Sequence, residues 1–360
     1  MDKISRLYFK SCKELQLNPV KAPEIKGFYF TLGNRNYLFR NAATPFNNVA
    51  AATLAANKYS TNLFLKNHGL PVTNAIAITR KEFKNGLLDI SELRFPVVIK
   101  PCWDSSLGRG VICNIQTSEK LIELLTKYLK KHKSICIEEF ATNMRSYRVL
   151  VSEGKVIGVV ERIPAHVIGD GEHTIEELIV LENQHREILK KKLPFGPLKV
   201  NEETDYLFEE RGLGTQSIPA INEKIPIRYI CNASAGGTTI GLTLKDICKE
   251  NVELAVKAAK VLDLNLVGFD FLCEDIAKPI LQTKGFIIEA NYAPDITLHE
   301  QTPLGVKTRV TLIIMKHFVR KNLISYLHYK YRTKYLGIAV KALLVFGFIF
   351  LIANANTLFH

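Results

Sequence analysis

No two cysteines in the sequence stand in a C-x-x-C spacing, and their number, seven, is odd. Cys12, Cys102, Cys113, Cys136, Cys231, Cys248 and Cys273 lie far apart, several of them inside apolar runs. That sets aside zinc-ribbon, dithiol-redox and disulfide-framework chemistry, and reduced thiols are expected. The opening MDKISRLYFK lacks the apolar core of a signal peptide, so the expected location is the cytoplasm. Internal repeats and low-complexity tracts are missing too. Acidic residues stop at Glu300, while nine lysines and arginines lie in 301–360, which leaves +4 of the +13 net charge for the first 300 residues. The basic character therefore belongs to the tail. With no aromatic-plus-basic signature and no helix-turn-helix pattern in the body, nucleic acid is not an expected partner.

What is present describes a globular chain. Apolar residues make up 47% of the 360 positions and charged residues 23%, enough for two or three subdomains with cores of their own. Residues 1–55 read as a small α/β opening unit. NKYSTNLFLKNHGLPV (57–72) reads as a helix ended by Gly69 and Pro71, and FPVVIKP (95–101) as a β-branched strand. A small-residue loop, DSSLGRGV, leads to the strand GVICNI and to an amphipathic helix capped by Ser118. SICIEEF (134–140) is a strand, and SYRVLVSEGKVIGVVERI reads as a hairpin turning at Glu153 and Gly154. Thr174 and Glu177 form an expected capping box. PIRYICNASAGGTTIGLT reads as strand, small-residue turn and strand, and CKENVELAVKAAKVLDL as a helix. The strands LVGFDFLC and GFIIEANYAP, joined by EDIAKPILQTK, are spaced for an antiparallel hairpin. This mixture is α+β rather than an even β-α alternation.

Three features carry chemistry. Lys100 ends a strand just before the DSSLGRGV loop, whose backbone N–H groups could cradle phosphate oxygens. The spacing fits neither a Walker loop nor a dinucleotide fingerprint, and an ordinary turn is the plainer reading of the loop by itself. CIEEFA ends a strand in adjacent acids, suited to an adenine edge and a ribose, or simply to a surface. Asp270, Glu289 and Asn291 place two carboxylates and an amide within apolar strands, Glu289 and Asn291 on one face. Buried and unpaired, such groups cost several kcal/mol each. Two remedies are open, a hard divalent cation on oxygen ligands or ion pairs with lysine or arginine.

Taken in order over about residues 45–315, these features resemble the ATP-grasp ligases, above all the ATP-grasp regions of the cyanophycin synthetases and N-acetylglutaminylglutamine synthetases. ERIPAHVIGDGEHTIEEL, CNASAGGTT, VGFDF and IIEANYAPDITLHEQTP carry the likeness, with RSYRVLV and the TPFNN…AANKYSTN stretch nearer the second group. The resemblance implies an ATP-grasp fold, two α+β subdomains clasping ATP, with a small N-terminal α/β unit and a hydrophobic C-terminal helix. The implied divisions are 1–55, a small subdomain at 56–135, a large subdomain with the metal site at 136–325, and a tail at 326–360. Lys58 and Lys100 are implied as phosphate contacts, and Ser105, Ser106, Gly108 and Gly110 as the loop over the phosphates. Glu138, Glu139, Phe140 and Ala141 correspond to the adenine hinge, and Asp270, Glu289 and Asn291 to the Mg2+ ligands. Arg228 corresponds to the arginine that steadies the phosphate in transfer, making Lys100 and Arg228 the implied catalytic pair. Asn232, Ser234, Gly236 and Gly237 would line the acceptor side, with Arg148, Arg162, His166 and His299 as further candidates. The implied cofactors are ATP and two Mg2+ ions, with Mn2+ as a substitute.

The implied activity is an ADP-forming carboxylate–amine ligase that makes an amide or peptide bond through an acylphosphate. Its substrates would be an amino acid or a short, acylated or free peptide. No Mur-ligase-like domain is present, so the expectation is an ATP-grasp module standing alone, and a homo-oligomer is left open. The competing reading is a nucleotide-binding regulatory or scaffold protein without turnover.

The tail raises its own expectation. LGIAVKALLVFGFIFLIANA (336–355) is apolar apart from Lys341 and its asparagine, and a basic stretch precedes it. Counted with Lys341 snorkelling it approaches the ~20 residues of a span. A membrane anchor or monotopic helix at the inner face of a membrane is expected, against a core or oligomer helix.

Overall fold

The computed structural model of the chain describes residues 1–103, 110–189, 196–231 and 236–355. They form two compact units, Met1–Asn41 together with Thr311–His360, and Ala42–Val310. The first unit opens with α1 (Lys3–Glu14), followed by β1 (Val20–Ala22), β2 (Gly27–Leu32) and β3 (Arg35–Phe39), an antiparallel sheet in that order. Asp2 caps α1 by accepting from the Ser5 N–H at 2.9 Å. Its core is aromatic: Phe28 stacks on Phe39 at 4.7 Å.

The second unit begins with α2 (Val49–Ala56) and α3 (Lys58–Asn67). Asn57 ends the first helix and caps the second, its side chain accepting from the Ser60 N–H. Gly69, at φ +68°, turns the chain out of α3 as its position predicts. β4 (Ala75–Thr79) and the single turn α4 (Arg80–Lys84) follow, then β5 (Val97–Pro101), β6 (Ile112–Ile115), α5 (Ser118–Tyr128) and β7 (Ser134–Glu139). The four strands form one antiparallel sheet ordered β4-β7-β5-β6. α5 covers it with Leu121, Leu124, Leu125 and Tyr128, one helical face. Its cap is Thr117 rather than the expected Ser118, because the Thr117 hydroxyl is the one that reaches the Lys120 N–H.

Next come β8 (Arg145–Ser152), β9 (Lys155–Ile163), β10 (His166–Ile168), α6 (Ile175–Leu189), α7 (Glu202–Glu210), β11 (Lys224–Pro226), β12 (Thr238–Leu242), α8 (Lys249–Val261), β13 (Leu266–Cys273), β14 (Gly285–Asn291), α9 (Thr297–Glu300) and β15 (Leu304–Gly305). The main sheet is ordered β14-β13-β8-β9-β12-β15, antiparallel except for the last pair. The β8–β9 turn has Glu153 at φ +47° and Gly154 at +70°, the conformation of a tight two-residue hairpin. Thr174 and Glu177 exchange both bonds of the expected capping box. α8 lays Leu254, Ala255, Ala258 and Ala259 on the sheet. Buried Asn251 on α8 bonds the Ile276 and Lys278 carbonyls and the Ile280 N–H, fastening the β13–β14 linker.

One strand expectation is corrected. Residues 227–231 are not strand, because β11 ends at Pro226 and the N–H groups of Tyr229 and Ile230 turn to the Glu203 carboxylate instead of a neighbouring strand.

The chain closes in the first unit with α10 (Val310–Lys321) and α11 (Leu323–Ala355). Phe318 of α10 meets Phe30 and Tyr37 edge-on at 5.6 and 4.8 Å. α11 carries the tail, its apolar side chains from Leu343 to Ile352 half exposed or more, and the expected hydrophobic C-terminal helix is not supported as an apolar span. The membrane-spanning anchor is not supported: among the described residues no helix is long and apolar enough to cross a membrane. The uninterrupted run after Lys341 is shorter than the ~20 residues a span requires. All seven cysteines are unpaired.

Candidate active site

β13 and β14 pair so that Asp270 lies directly opposite Glu289, and Gly268 opposite Asn291. On its other side Asp270 faces Arg148 of β8. Arg148 Nε donates to Asp270 Oδ1, and Arg162 of β9 donates to Oδ2 at 2.6 Å. Gly268 makes this possible, since a Cβ there would stand 2.8 Å from Arg148 Cδ. Burial pushes the Asp270 carboxyl up, and the two guanidinium groups more than reverse it, leaving it lowered. Glu289 is held separately, by Lys58 Nζ at 2.5 Å. Lys58 is the first residue of α3, so the Asn57 cap aims it at the sheet edge.

The pairing shifts between Asp270 and Phe271, which opposes Ile287 and leaves Ile288 as the extra residue of a bulge. The Ile288 carbonyl accepts from Lys100 Nζ at 3.5 Å. Lys100 is otherwise paired with Glu138 at 2.6 Å. In the register Lys100 faces Cys136, so Glu138 is its diagonal neighbour on the same face. Burial draws the Lys100 ammonium down in pKa, and Glu138 more than compensates, so it is raised. Glu138 also accepts from Thr73 Oγ1 at 3.0 Å.

Strand alternation turns the adjacent acids apart. Glu138 is buried, while the Glu139 carboxylate takes Asn74 Nδ2 at 3.1 Å and the Arg94 N–H at 3.2 Å. The Phe140 N–H is committed to the Pro96 carbonyl at 2.8 Å, and its ring meets Tyr229 edge-on at 5.2 Å. Ala141 follows just beyond the strand.

Arg228 is gripped by Glu203 of α7, which accepts from its Nε at 2.7 Å and its Nη2 at 2.5 Å. Burial raises the Glu203 carboxyl, against the pull of Arg228. Gly110, at φ +73°, is packed against Pro101, where a side chain would crowd the ring at 3.2 Å. Ser105, Ser106 and Gly108, with Asn232 and Ser234, lie outside the described residues. Gly236, at φ +91°, offers its carbonyl to Arg186 at 2.7 Å. His166 bonds the Pro164 carbonyl at 2.9 Å. His299 is 1% exposed beneath Gly158, its Nδ1 without a partner. Burial, with Arg148 nearby, drives its pKa down to about 3.

The structure thus brings near one another Lys58 of α3, Lys100 and Glu138 of the four-stranded sheet, and Asp270, Glu289 and Asn291 of the six-stranded sheet, and it adds one residue, Glu203, and one pairing, that of Arg148 and Arg162 with Asp270. Glu203 had no motif to mark it. Arg148 and Arg162 had one, a charged residue inside an apolar strand, but only the register shows that both serve Asp270.

Asp270, Glu289 and Asn291 are the candidate metal ligands. Among the described residues no three or more His, Cys, Asp and Glu side chains gather as a metal site. The set here is two carboxylates and an amide. Asn291 Nδ2 donates to the Gly268 carbonyl at 3.2 Å, which orients Oδ1 as an acceptor. The donors are all hard oxygens and fit Mg2+ in chemistry, provided Lys58 yields its place on Glu289 and Asp270 offers a lone pair beside those held by Arg148 and Arg162.

Residues 55–171 match the model of the RimK-like ATP-grasp domain. Over 280 residues the chain is 32% identical to the cyanophycin synthetase of Crocosphaera subtropica, a stretch covering 75% of this chain and 31% of that protein. Over 205 residues it is 35% identical to the glutathione biosynthesis bifunctional protein GshAB of Clostridium perfringens, covering 56% and 26%. The crystal structure of a bifunctional glutathione synthetase from Pasteurella multocida shares the fold, with a TM-score of 0.58 and 22% identity over 89% of this chain and 44% of that one. The chain spans less than a third of the length of these two curated relatives.

Proposed function

Because the chain carries a RimK-like ATP-grasp domain, homologous to the ATP-grasp regions of cyanophycin synthetase and glutathione synthetase, we propose that it is an ATP- and Mg2+-dependent carboxylate–amine ligase. It forms an amide or peptide bond, releases ADP, and takes an amino acid or a short, acylated or free peptide as the carboxylate. The four-stranded sheet serves as the small subdomain and the six-stranded sheet as the large one, together clasping the nucleotide. The supporting observation is the placement of Asp270 directly across from Glu289, with Asn291 on the same strand, amid Lys58, Lys100, Arg148 and Arg162.

In this reading Lys58 and Lys100 leave their carboxylates for ATP phosphates, and the loop containing Ser105, Ser106, Gly108 and Gly110 covers them. Glu138 to Ala141 receive adenine. Asp270, Glu289 and Asn291 would hold Mg2+, which would supply charge neutralisation to the nucleotide phosphates. The substrate carboxylate oxygen bonds to the γ-phosphorus as the bond to ADP breaks, giving an acylphosphate. Arg228 and Lys100 balance the charge developing on the transferring group. The amine then attacks the acyl carbon, phosphate leaves, and the amine gives up a proton. Positioning rather than covalent help from the protein supplies the rate.

A second reading, nucleotide binding without turnover, draws on the fact that Lys58, Lys100 and Arg228 are each already neutralised by a carboxylate. A screen of amino acids and acylated dipeptides for ADP and phosphate release separates the two. Release that depends on one acid and one amine is expected. ATP binding with no such release across the set supports the second reading.

A further inference from the structure

Glu203 collects more donors than any ordinary surface pair needs. Its Oε2 takes Arg228 Nε and Nη2, and its Oε1 takes the N–H groups of Tyr229 at 3.0 Å and Ile230 at 3.1 Å. The side chain is 3% exposed. Two charge-assisted bonds from one guanidinium to a single carboxylate oxygen restrict its orientation. With Nε and Nη2 spent on Glu203, Nη1 is the part of the fork turned elsewhere.

The helix that carries Glu203 also reaches the four-stranded sheet. Tyr206 Oη donates to the Asn114 carbonyl at 3.2 Å, and Lys127 pairs with Glu202 at 2.5 Å. Asn114 Nδ2 donates to Tyr229 Oη at 3.1 Å, and Tyr229 Oη donates to Glu210 at 2.8 Å. Asn114 sits on β6, next to the strand that bears Lys100. α7 therefore grips the Arg228 segment and the nucleotide-side sheet at once.

We infer that Glu203 is a positioning residue, one that sets the Arg228 guanidinium toward the terminal phosphate and, through α7, ties it to the sheet that carries Lys100. This rests on the reading of Arg228 as a contact to the transferring phosphate. A merely structural ion pair would stabilise α7 and leave nucleotide preference alone.

The test needs no acceptor substrate. Calorimetry with Mg2+ and either ADP or the non-hydrolysable analogue AMPPNP measures how much the third phosphate adds to binding. The wild-type chain is expected to prefer AMPPNP. Arg228→Ala and Glu203→Gln should each reduce that preference by about tenfold, while ADP affinity stays within about twofold. The double variant should be no worse than Arg228→Ala, and Glu203→Asp should recover part of the loss. Melting curves on the same samples, together with the ADP affinity, show that each variant is folded. If Arg228→Ala loses the preference and Glu203→Gln keeps it, the positioning role is overturned and the Arg228 reading stands. If Arg228→Ala keeps it, or the wild type has none, the Arg228 reading falls and the role of Glu203 falls with it.

Discussion

Asp270 and Glu289 stand opposite each other on neighbouring strands, yet neither relieves the other; each is held by cations from elsewhere in the unit. Two like charges across a strand pair repel. Arg148 and Arg162 on one, and Lys58 on the other, make the arrangement stable without a metal.

Asp270→Ala should destabilise the protein, although it removes one of two repelling acids. It strands Arg148 and Arg162, two buried guanidinium groups, and breaking such a network costs about 3–5 kcal/mol. Turnover should also be lost. Denaturant midpoints for the variant and the wild type measure the difference; equal midpoints would mean that the arginines do not depend on this carboxylate.

Lys58→Met should make Glu289 available to a cation. Electron paramagnetic resonance of Mn2+, titrated without nucleotide, should show roughly tenfold tighter binding or more. One unit charge at ~4 Å is worth about 4 kcal/mol at an effective dielectric of 20. AMPPNP affinity should fall in the same variant. Unchanged Mn2+ affinity would separate Glu289 from the metal site.

Lys100→Met should weaken ATP binding and leave Glu138 as a buried, uncompensated charge, at a cost of about 3–5 kcal/mol. Adding Glu138→Gln should restore much of the stability and none of the ATP affinity. Recovery of both in the double variant would show that Lys100 contacts no phosphate.

His299 should make stability depend on pH. Its folded-state value is lowered to about 3 from 6.5, so the folded protein keeps it neutral while the unfolded chain protonates. Its contribution is therefore complete above about pH 6.5 and is lost as the pH falls toward 3, with a slope of up to about 1.4 kcal/mol per unit. His299→Asn should flatten the melting temperature between pH 6.5 and 4.5 relative to the wild type. Parallel curves would argue against the assignment.

Elements whose signals are local could be read directly from the sequence. The Glu153-Gly154 hairpin, the Thr174/Glu177 box, the Gly69 helix stop and the antiparallel pairing of the Asp270 and Glu289 strands all appear where turn chemistry and periodicity place them. Short-range errors were errors of competition. Thr117 rather than Ser118 takes the Lys120 N–H, the Ser118 hydroxyl turning to Glu119, and Glu203 draws residues 229 and 230 away from a strand.

The sequence by itself determined that two carboxylates and an amide would share strands otherwise built for a core, because the runs on either side of Asp270 and before Glu289 are continuously apolar. It also left two remedies for their charge, a metal or basic side chains. Only the tertiary structure decided how those charges are met within the chain, since register is a long-range property. Arg148 reaches Asp270 across 122 positions, Lys58 reaches Glu289 across 231, and Glu203 reaches Arg228 across 25 with no periodic signal between them. Strand order sets Arg148 against Asp270, while the placement of α3 and α7 brings Lys58 and Glu203 to their partners, and none of this can be read from a window of neighbouring residues.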